Sequence, residues 1–187
     1  SSDLLPGSRL LLHNVGVNET RTGILDVLRQ MGAKVELKNE RLSGGEAAAD
    51  MLVEASRLHG TEFGASIMPR LIDEIPIIAV AALMAEGDTV ITGAGELRVK
   101  ETDRLAAIEA EFNKLAPGSV EASEDGLVIH GGKSLQKARC FSYDDHRIAM
   151  SLAILGTAGQ GVEIERPGCV NISYPSFYED LERLRQN

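Results

Sequence analysis

Residues 98–104, with the sequence RVKETDR, place three cations and two carboxylates directly before a predicted helix. The apolar spacing over residues 105–115 predicts that helix, and Thr102 is its expected N-cap. Lys100 and Arg104 would then lie beside the first helical amides, where the macrodipole favours anions over cations. An anion bound between these cations and amides would account for the pattern. The alternative is a solvated cluster whose charges pair only with one another.

The same order of predicted elements occurs three times along the chain: a strand, a glycine turn, a polar link and a capped amphipathic helix. The three copies start at Gly7, Gly87 and Gly161. A buried helix is predicted before the second and third copies, from Asp73 and from Asp145, but not before the first. We therefore expect three related units in one domain, the first of them incomplete. Predicted strands cover residues 9–15, 33–37, 51–55, 89–92, 119–122, 127–130, 139–141 and 162–165, and the predicted helices start at Thr22, Asp73, Thr102, Asp145 and Pro175.

Three of the predicted helix starts carry unusual charge, at residues 73–74, 100–104 and 144–147. Because related units place corresponding helix ends on one face, we expect these groups to converge. The cations expected to grip an anion such as a carboxylate or a phosphate are Arg104 and Arg147. The titratable groups expected beside that anion, where they would suit proton transfer, are Asp73, Glu101 and His146.

Simpler interpretations of these residues remain open at this point. Asp73 and Asp145 have the side chain and the position of ordinary N-caps. A lone histidine such as His146 is more often a surface side chain or one satisfied within the fold than a catalytic group.

Composition restricts the class of protein. The chain has 187 residues, of which 43% are hydrophobic and 25% charged, as in a globular domain. Its formal net charge of -9 argues against nucleic acid as a partner. Cys140 and Cys169 form no CxxC motif, which fits a reducing cytoplasm, and the four histidines lack metal-ligand spacing. We therefore expect a cytoplasmic protein without metal or cofactor. We also expect no membrane segment, because no apolar run is long enough to span a bilayer.

Several stretches resemble a known family. LIDEIPIIAVAALMAEG (71–87), ELRVKETDRL (96–105) and YDDHRIAMSLAILG (143–156) are similar to three signature stretches of the 5-enolpyruvylshikimate-3-phosphate synthase family, and SYPSFYEDL (173–181) resembles its C-terminal helix. The resemblance implies an α/β (α+β) fold, an inside-out α/β barrel of three βαβαββ units, here with the first unit incomplete. Family members have two globular domains, and this chain resembles the second, as one domain over residues 1–187. Since it begins at Ser1 without methionine, we expect a trimmed piece of a longer protein.

The activity that the resemblance implies belongs to the shikimate pathway, which leads to chorismate and the aromatic amino acids, and it is the target of glyphosate. The enolpyruvyl group of phosphoenolpyruvate is transferred to the 5-hydroxyl of shikimate 3-phosphate by addition and elimination through a tetrahedral ketal, with release of phosphate. The implied catalytic groups are Asp73 as the base at the hydroxyl, Glu101 as the acid at the methylene carbon, and His146. The implied substrate ligands are Lys100 for shikimate 3-phosphate, and Arg104 and Arg147 for phosphoenolpyruvate.

Two positions depart from the family pattern. Glu96 stands where some members have an asparagine that contacts shikimate 3-phosphate, and Ile172 where some have a lysine for the phosphoenolpyruvate phosphate. Because the remaining ligands belong to the first domain, we expect this chain to be a monomer that is inactive alone and needs the missing N-terminal domain. The alternatives are a domain like that of UDP-N-acetylglucosamine enolpyruvyl transferase, which the KETDR and DHR motifs disfavour, and a non-catalytic docking module.

Overall fold

The computed structural model describes residues 7–185, so the expectation about the chain start at Ser1 lies outside the described part. Helices in this range are α1 (Gly23–Gln30), α2 (Ile75–Met84), α3 (Arg104–Leu115), α4 (His146–Ala158) and α5 (Phe177–Arg185). Strands are β1 (Arg9–Gly16), β2 (Lys34–Ser43), β3 (Glu46–Glu54), β4 (Glu62–Phe63), β5 (Asp88–Ile91), β6 (Val120–Ala122), β7 (Leu127–His130), β8 (Ala138–Phe141) and β9 (Val162–Glu165). Short 3-10 turns precede α1, α2, α3 and α5.

The sheets show the predicted repetition. The second unit is a full βαβαββ unit, in which β4 and β5 are parallel, β7 is antiparallel to both β5 and β6, and the order is β4-β5-β7-β6. The first unit has the sheet order β1-β3-β2, which matches β5-β7-β6. The third unit pairs β8 and β9 in parallel, which matches β4 and β5. The prediction of an incomplete first unit is confirmed, and among the described residues the third unit also has no closing hairpin.

α2 lies in the core of the domain. It is apolar on all sides and almost completely buried, and it packs against α3, α4 and β7. Pro76 occupies the second position of α2, where its missing N–H leaves no intrahelical hydrogen bond unmade. A helix of this kind cannot face water, so the sheets lie outside it, as the inside-out architecture requires.

Two of the predicted helix caps are wrong. α3 begins at Arg104, not at Thr102, and its N-cap is Asp103, whose carboxylate accepts a hydrogen bond from the Ala106 N–H at 3.0 Å. Thr102 and Asp103 are both good capping residues, so sequence alone does not decide between adjacent candidates. Asp73 caps no helix: it lies in a 3-10 turn before α2, and other side chains take up its carboxylate.

Candidate active site

Arg104, the first residue of α3, is at the centre of the candidate site. Its side chain is 1% exposed, and all three guanidinium nitrogens donate to carboxylates. Nε contacts Asp145 at 2.8 Å, Nη1 contacts Asp73 at 3.1 Å, and Nη2 contacts Glu101 at 2.6 Å. These three acids come from three separate segments of the chain, and we call the four residues together the Arg104 cluster.

Asp145 joins the starts of α3 and α4. It is completely buried and is the N-cap of α4, as predicted. Its Oδ1 accepts hydrogen bonds from the backbone N–H groups of Arg147 and Ile148, at 2.8 and 3.3 Å. Its Oδ2 faces Arg104. One carboxylate therefore fixes the direction of α4 and also neutralises a buried cation on α3.

Arg147 and Lys100 approach the same carboxylate from two sides. The Nη1 of Arg147 donates to the backbone carbonyl of Asp73 at 3.0 Å, and its Nη2 lies 3.5 Å from the Asp73 carboxylate. The Lys100 ammonium lies 3.9 Å from Asp73 and donates to Glu96 at 2.6 Å. The hydrogen bond to Glu96, followed by the Asp73 charge, raises the pKa of Lys100 above its ordinary value. Asp73 is thus in reach of three cations.

The members of the Arg104 cluster differ in their exposure to solvent. They do pair with one another, but Arg104 is buried, so the cluster is not the solvated one of the alternative interpretation. Glu101 and Asp73 are the accessible members, with side chains 49% and 37% exposed. A small anion that approaches from solvent therefore meets these two acids first, and it competes with them for the N–H groups of Arg104.

A cavity of about 310 Å³ lies beside the Arg104 cluster, between the start of α2 and residues 147–154 of α4. The polar residues that line it are Asp73, Glu74, Arg147 and Ser151, and its apolar walls include Ile77, Met150 and Phe177. A space of this size suits a small ligand with a charged group at one end.

Of the six predicted site residues, five are linked by direct contacts and one is not. His146 is the first residue of α4 and is partly exposed. No hydrogen bond or ion pair connects it with the Arg104 cluster within residues 7–185. Sequence reasoning also missed Asp145 as a buried partner of Arg104, although a carboxylate directly before a buried helix start was visible. The convergence of the helix starts is confirmed, and the chemical roles of these residues stay predictions.

The two departures from the family pattern have different surroundings. Glu96 forms an ion pair with Lys100, with 2.6 Å between Nζ and Oε1. Ile172 ends the 3-10 turn before α5, and its side chain is largely exposed.

In the part of the chain that the structure describes, no three His, Cys, Asp or Glu side chains are arranged to hold a metal ion. Among the same residues, none of the helices has the length and apolar character needed to span a bilayer.

Comparison with known proteins gives one consistent family. The sequence model of the family described as EPSP synthase (3-phosphoshikimate 1-carboxyvinyltransferase) matches residues 3–181. A 3-phosphoshikimate 1-carboxyvinyltransferase of Synechocystis sp. is 55% identical over 188 residues, which cover 100% of this chain and 42% of that protein. Its counterpart in Gloeobacter violaceus is 50% identical and is covered to 43%.

The fold gives the same result. A solved EPSP synthase structure from Acinetobacter baumannii has a TM-score of 0.92 and 37% identity, and the match covers 98% of this chain and 43% of that one. The chain thus spans less than half the length of the relatives it matches. Taken with the three repeated units and the converging helix starts, the family model and these relatives show that the chain belongs to the EPSP synthase (3-phosphoshikimate 1-carboxyvinyltransferase) family.

Proposed function

We propose that this chain supplies the phosphoenolpyruvate side of an active site that transfers an enolpyruvyl group to the 5-hydroxyl of shikimate 3-phosphate. One observation carries the proposal. Arg104 and Arg147, from two different helix starts, meet at the Asp73 carboxylate, with Glu101 alongside. Two arginines that share one carboxylate, with Arg147 also lining a small cavity, suit a substrate that carries both a carboxylate and a phosphate.

The proposed steps use these side chains in sequence. Asp73 accepts the proton of the 5-hydroxyl while the oxygen of that hydroxyl bonds to the central carbon of phosphoenolpyruvate. Glu101 protonates the methylene carbon. The product of this addition is a tetrahedral ketal. In the elimination, the Glu101 carboxylate takes back one proton from the new methyl group as phosphate leaves, and the double bond is restored. Arg147 stabilises the phosphate, Arg104 the carboxylate, and Lys100 the shikimate 3-phosphate. No metal or cofactor takes part in these steps.

The Nη2 of Arg104, which we propose as a donor to the substrate carboxylate, donates to Glu101 in the structure. We therefore propose an exchange: the phosphoenolpyruvate carboxylate takes over the Nη2 of Arg104, and Glu101 is released towards the methylene carbon. The exposure of Glu101 supports this order, because an accessible partner is displaced at lower cost than the buried Asp145. His146 stays a candidate for a supporting role in proton transfer.

The remaining parts of the proposal follow from the length of the relatives. Since the chain covers 42% of the Synechocystis protein, the other substrate ligands would lie in a separate N-terminal domain. We propose that residues 1–187 form one domain and one monomeric half of a cytoplasmic enzyme, inactive alone. Closure of the two halves would complete the site and exclude water.

The test is phosphate release from phosphoenolpyruvate and shikimate 3-phosphate by three samples: this chain, the separately produced N-terminal part of the Synechocystis relative, and both together. We expect turnover only in the mixture. Robust turnover by this chain alone would refute the half-site proposal. Asp73→Asn and Glu101→Gln should abolish turnover in the mixture. Glu163→Gln, which removes one carboxylate of an exposed ion pair with Arg139, is the matched control and should not.

The same assay separates the other candidate functions. Replacement of shikimate 3-phosphate by UDP-N-acetylglucosamine should give no product, and turnover with that acceptor would assign the chain to the sister transferase. A docking module would bind the N-terminal part equally well with or without the Asp73 and Glu101 carboxylates, and neither change would affect turnover.

A further inference from the structure

Glu111 is a buried carboxylate that the proposed reaction does not use. It lies on α3, seven residues after Arg104, and therefore about two turns further along the same side of the helix. Its side chain is 1% exposed, although its helical neighbours Ile108, Phe112 and Leu115 are apolar and also buried. A buried charge on such a helix needs specific partners.

The partners of Glu111 come largely from the segment that leads into α4. Its Oε1 accepts a hydrogen bond from the Tyr143 O–H at 2.8 Å, and its Oε2 accepts one from the backbone N–H of Phe141 at 2.8 Å. The Lys114 ammonium contacts both oxygens from the solvent side. The aromatic rings of Phe141 and Tyr143 also pack edge to face, with 5.0 Å between their centroids.

The segment that Glu111 holds has an unusual backbone. Tyr143 and Asp144 are consecutive non-glycine residues in the left-handed region, with φ values of 57° and 56°. A bulky side chain rarely adopts this conformation, and it persists only where surrounding contacts determine it. Asp145 follows directly, with its carboxylate on Arg104. The turn is therefore held from one helix at two points, by Glu111 at Tyr143 and by Arg104 at Asp145.

We propose that Glu111, through Tyr143, is a positioning residue for the phosphoenolpyruvate site: it fixes the left-handed turn 143–144 and thereby directs Asp145 and Arg147 towards Arg104 and Asp73. The proposal rests on the function proposed above. In that proposed function, Glu111 contacts no substrate. Burial, together with the Glu111 hydrogen bond and charge, raises the pKa of Tyr143 to about 12, so the phenol remains a donor at neutral pH.

The kinetic test uses Tyr143→Phe, which deletes one hydroxyl and leaves Glu111 its backbone donor and its lysine. In the mixture with the N-terminal part, the KM for phosphoenolpyruvate should rise about fivefold to tenfold, the effect of one lost hydrogen bond on the population of the directed turn. The KM for shikimate 3-phosphate should change less than twofold. Glu111→Gln should act in the same direction, and the two changes together should be less than additive because they break one contact.

Tyr174→Phe is the matched control. It deletes another tyrosine hydroxyl that donates to a carboxylate, that of Asp180 at 3.0 Å, in the segment before α5. It should leave both KM values unchanged. Equal increases in both KM values for Tyr143→Phe, or a lower melting temperature with unchanged kinetics, would overturn the positioning role.

A second measurement on this chain needs no turnover, and so separates this proposal from the proposed function. Hydrogen exchange of the Arg147 and Ile148 amides measures how stably they donate hydrogen bonds to the Asp145 carboxylate at the start of α4. Tyr143→Phe should speed exchange at these two amides, and Tyr174→Phe should not. Unchanged exchange in Tyr143→Phe would overturn the link between Glu111 and the turn, even if the enzyme proved to use another substrate.

Discussion

Replacement of Arg104 by methionine should destabilise the chain far more than the loss of an ordinary surface arginine. The guanidinium of Arg104 is 1% exposed, and Asp145 is completely buried. Without the cation, Asp145 keeps only two backbone N–H donors among the residues that the structure describes, and removal of one partner from such a pair costs about 3–5 kcal/mol. Asp73 and Glu101 are more than one third exposed, so water replaces their lost contacts at about 0–1 kcal/mol each.

Urea unfolding followed by far-ultraviolet circular dichroism measures this loss. A typical free energy of unfolding is about 5–15 kcal/mol. A loss of about 3–5 kcal/mol should therefore lower the urea midpoint strongly. Arg139→Met is the control, because Arg139 is 65% exposed and pairs only with Glu163 and Glu165 among the described residues. It should change the free energy of unfolding by about 0.5 kcal/mol or less.

A second substitution tests whether the unpaired charge of Asp145 causes the loss of stability in Arg104→Met. In the Arg104→Met background, Asp145→Asn should recover part of the lost stability, because an uncharged amide oxygen still caps α4. The reasoning fails if Arg104→Met costs no more than Arg139→Met. It also fails if Asp145→Asn lowers the stability of the Arg104→Met chain further.

Two further predictions concern titratable groups outside the candidate site. The hydrogen bond to Asp88, and then that to Glu121, raise the pKa of His130 above 6.5, so its stabilising effect is complete below about pH 6.5 and is lost as the pH rises through the raised value. His130→Gln should therefore lower the urea midpoint at about pH 6 and leave it nearly unchanged at about pH 9; an equal loss at both would contradict this. Burial, and then the charge of Glu111, raise the pKa of the Cys140 thiol to about 12. Mass spectrometry should accordingly show no alkylation of Cys140 by iodoacetamide at neutral pH in the folded chain and rapid alkylation in urea, and labelling before unfolding would contradict its burial.

The repeated units could be predicted because their signals are local. Glycine turns, apolar periodicity and the Asp145 cap all lie within a few residues of the elements that they determine. β4 was missed because a strand of two residues, Glu62 and Phe63, has no periodicity to read. It forms because the chain passes parallel to β5 at this point.

The paired irregularities of the first sheet also depend on contacts across strands. Asn14 in β1 and Asn39 in β2 both have positive φ, and both contact the carboxylate of Asp50 in β3. The register of β3 shifts beside each of them. A sequence does not show that one aspartate lies between two strands that are far apart in the chain, so these two bulges could not be predicted.

The candidate site was predictable as a group of residues but not as a set of contacts. The repeated helix starts correctly indicated that Arg104, Arg147 and Asp73 would converge. The saturation of Arg104 by three acids was not visible, because spacing along the chain does not measure burial or the direction of a side chain. His146 has the sequence position of a site residue, but over residues 7–185 no hydrogen bond or ion pair links its side chain with the Arg104 cluster.

The charges of the Arg104 cluster and its ionic neighbours have a consequence for how an anion approaches. Three cationic side chains, Lys100, Arg104 and Arg147, lie among five carboxylates, those of Asp73, Glu74, Glu96, Glu101 and Asp145, so the formal charge of the group is minus two. At distances beyond direct contact, an anion is repelled by this group and by a chain of net charge -9. Under the proposed function, electrostatic steering of a phosphorylated substrate has to come from the proposed N-terminal domain, and added salt should weaken the repulsion from this chain.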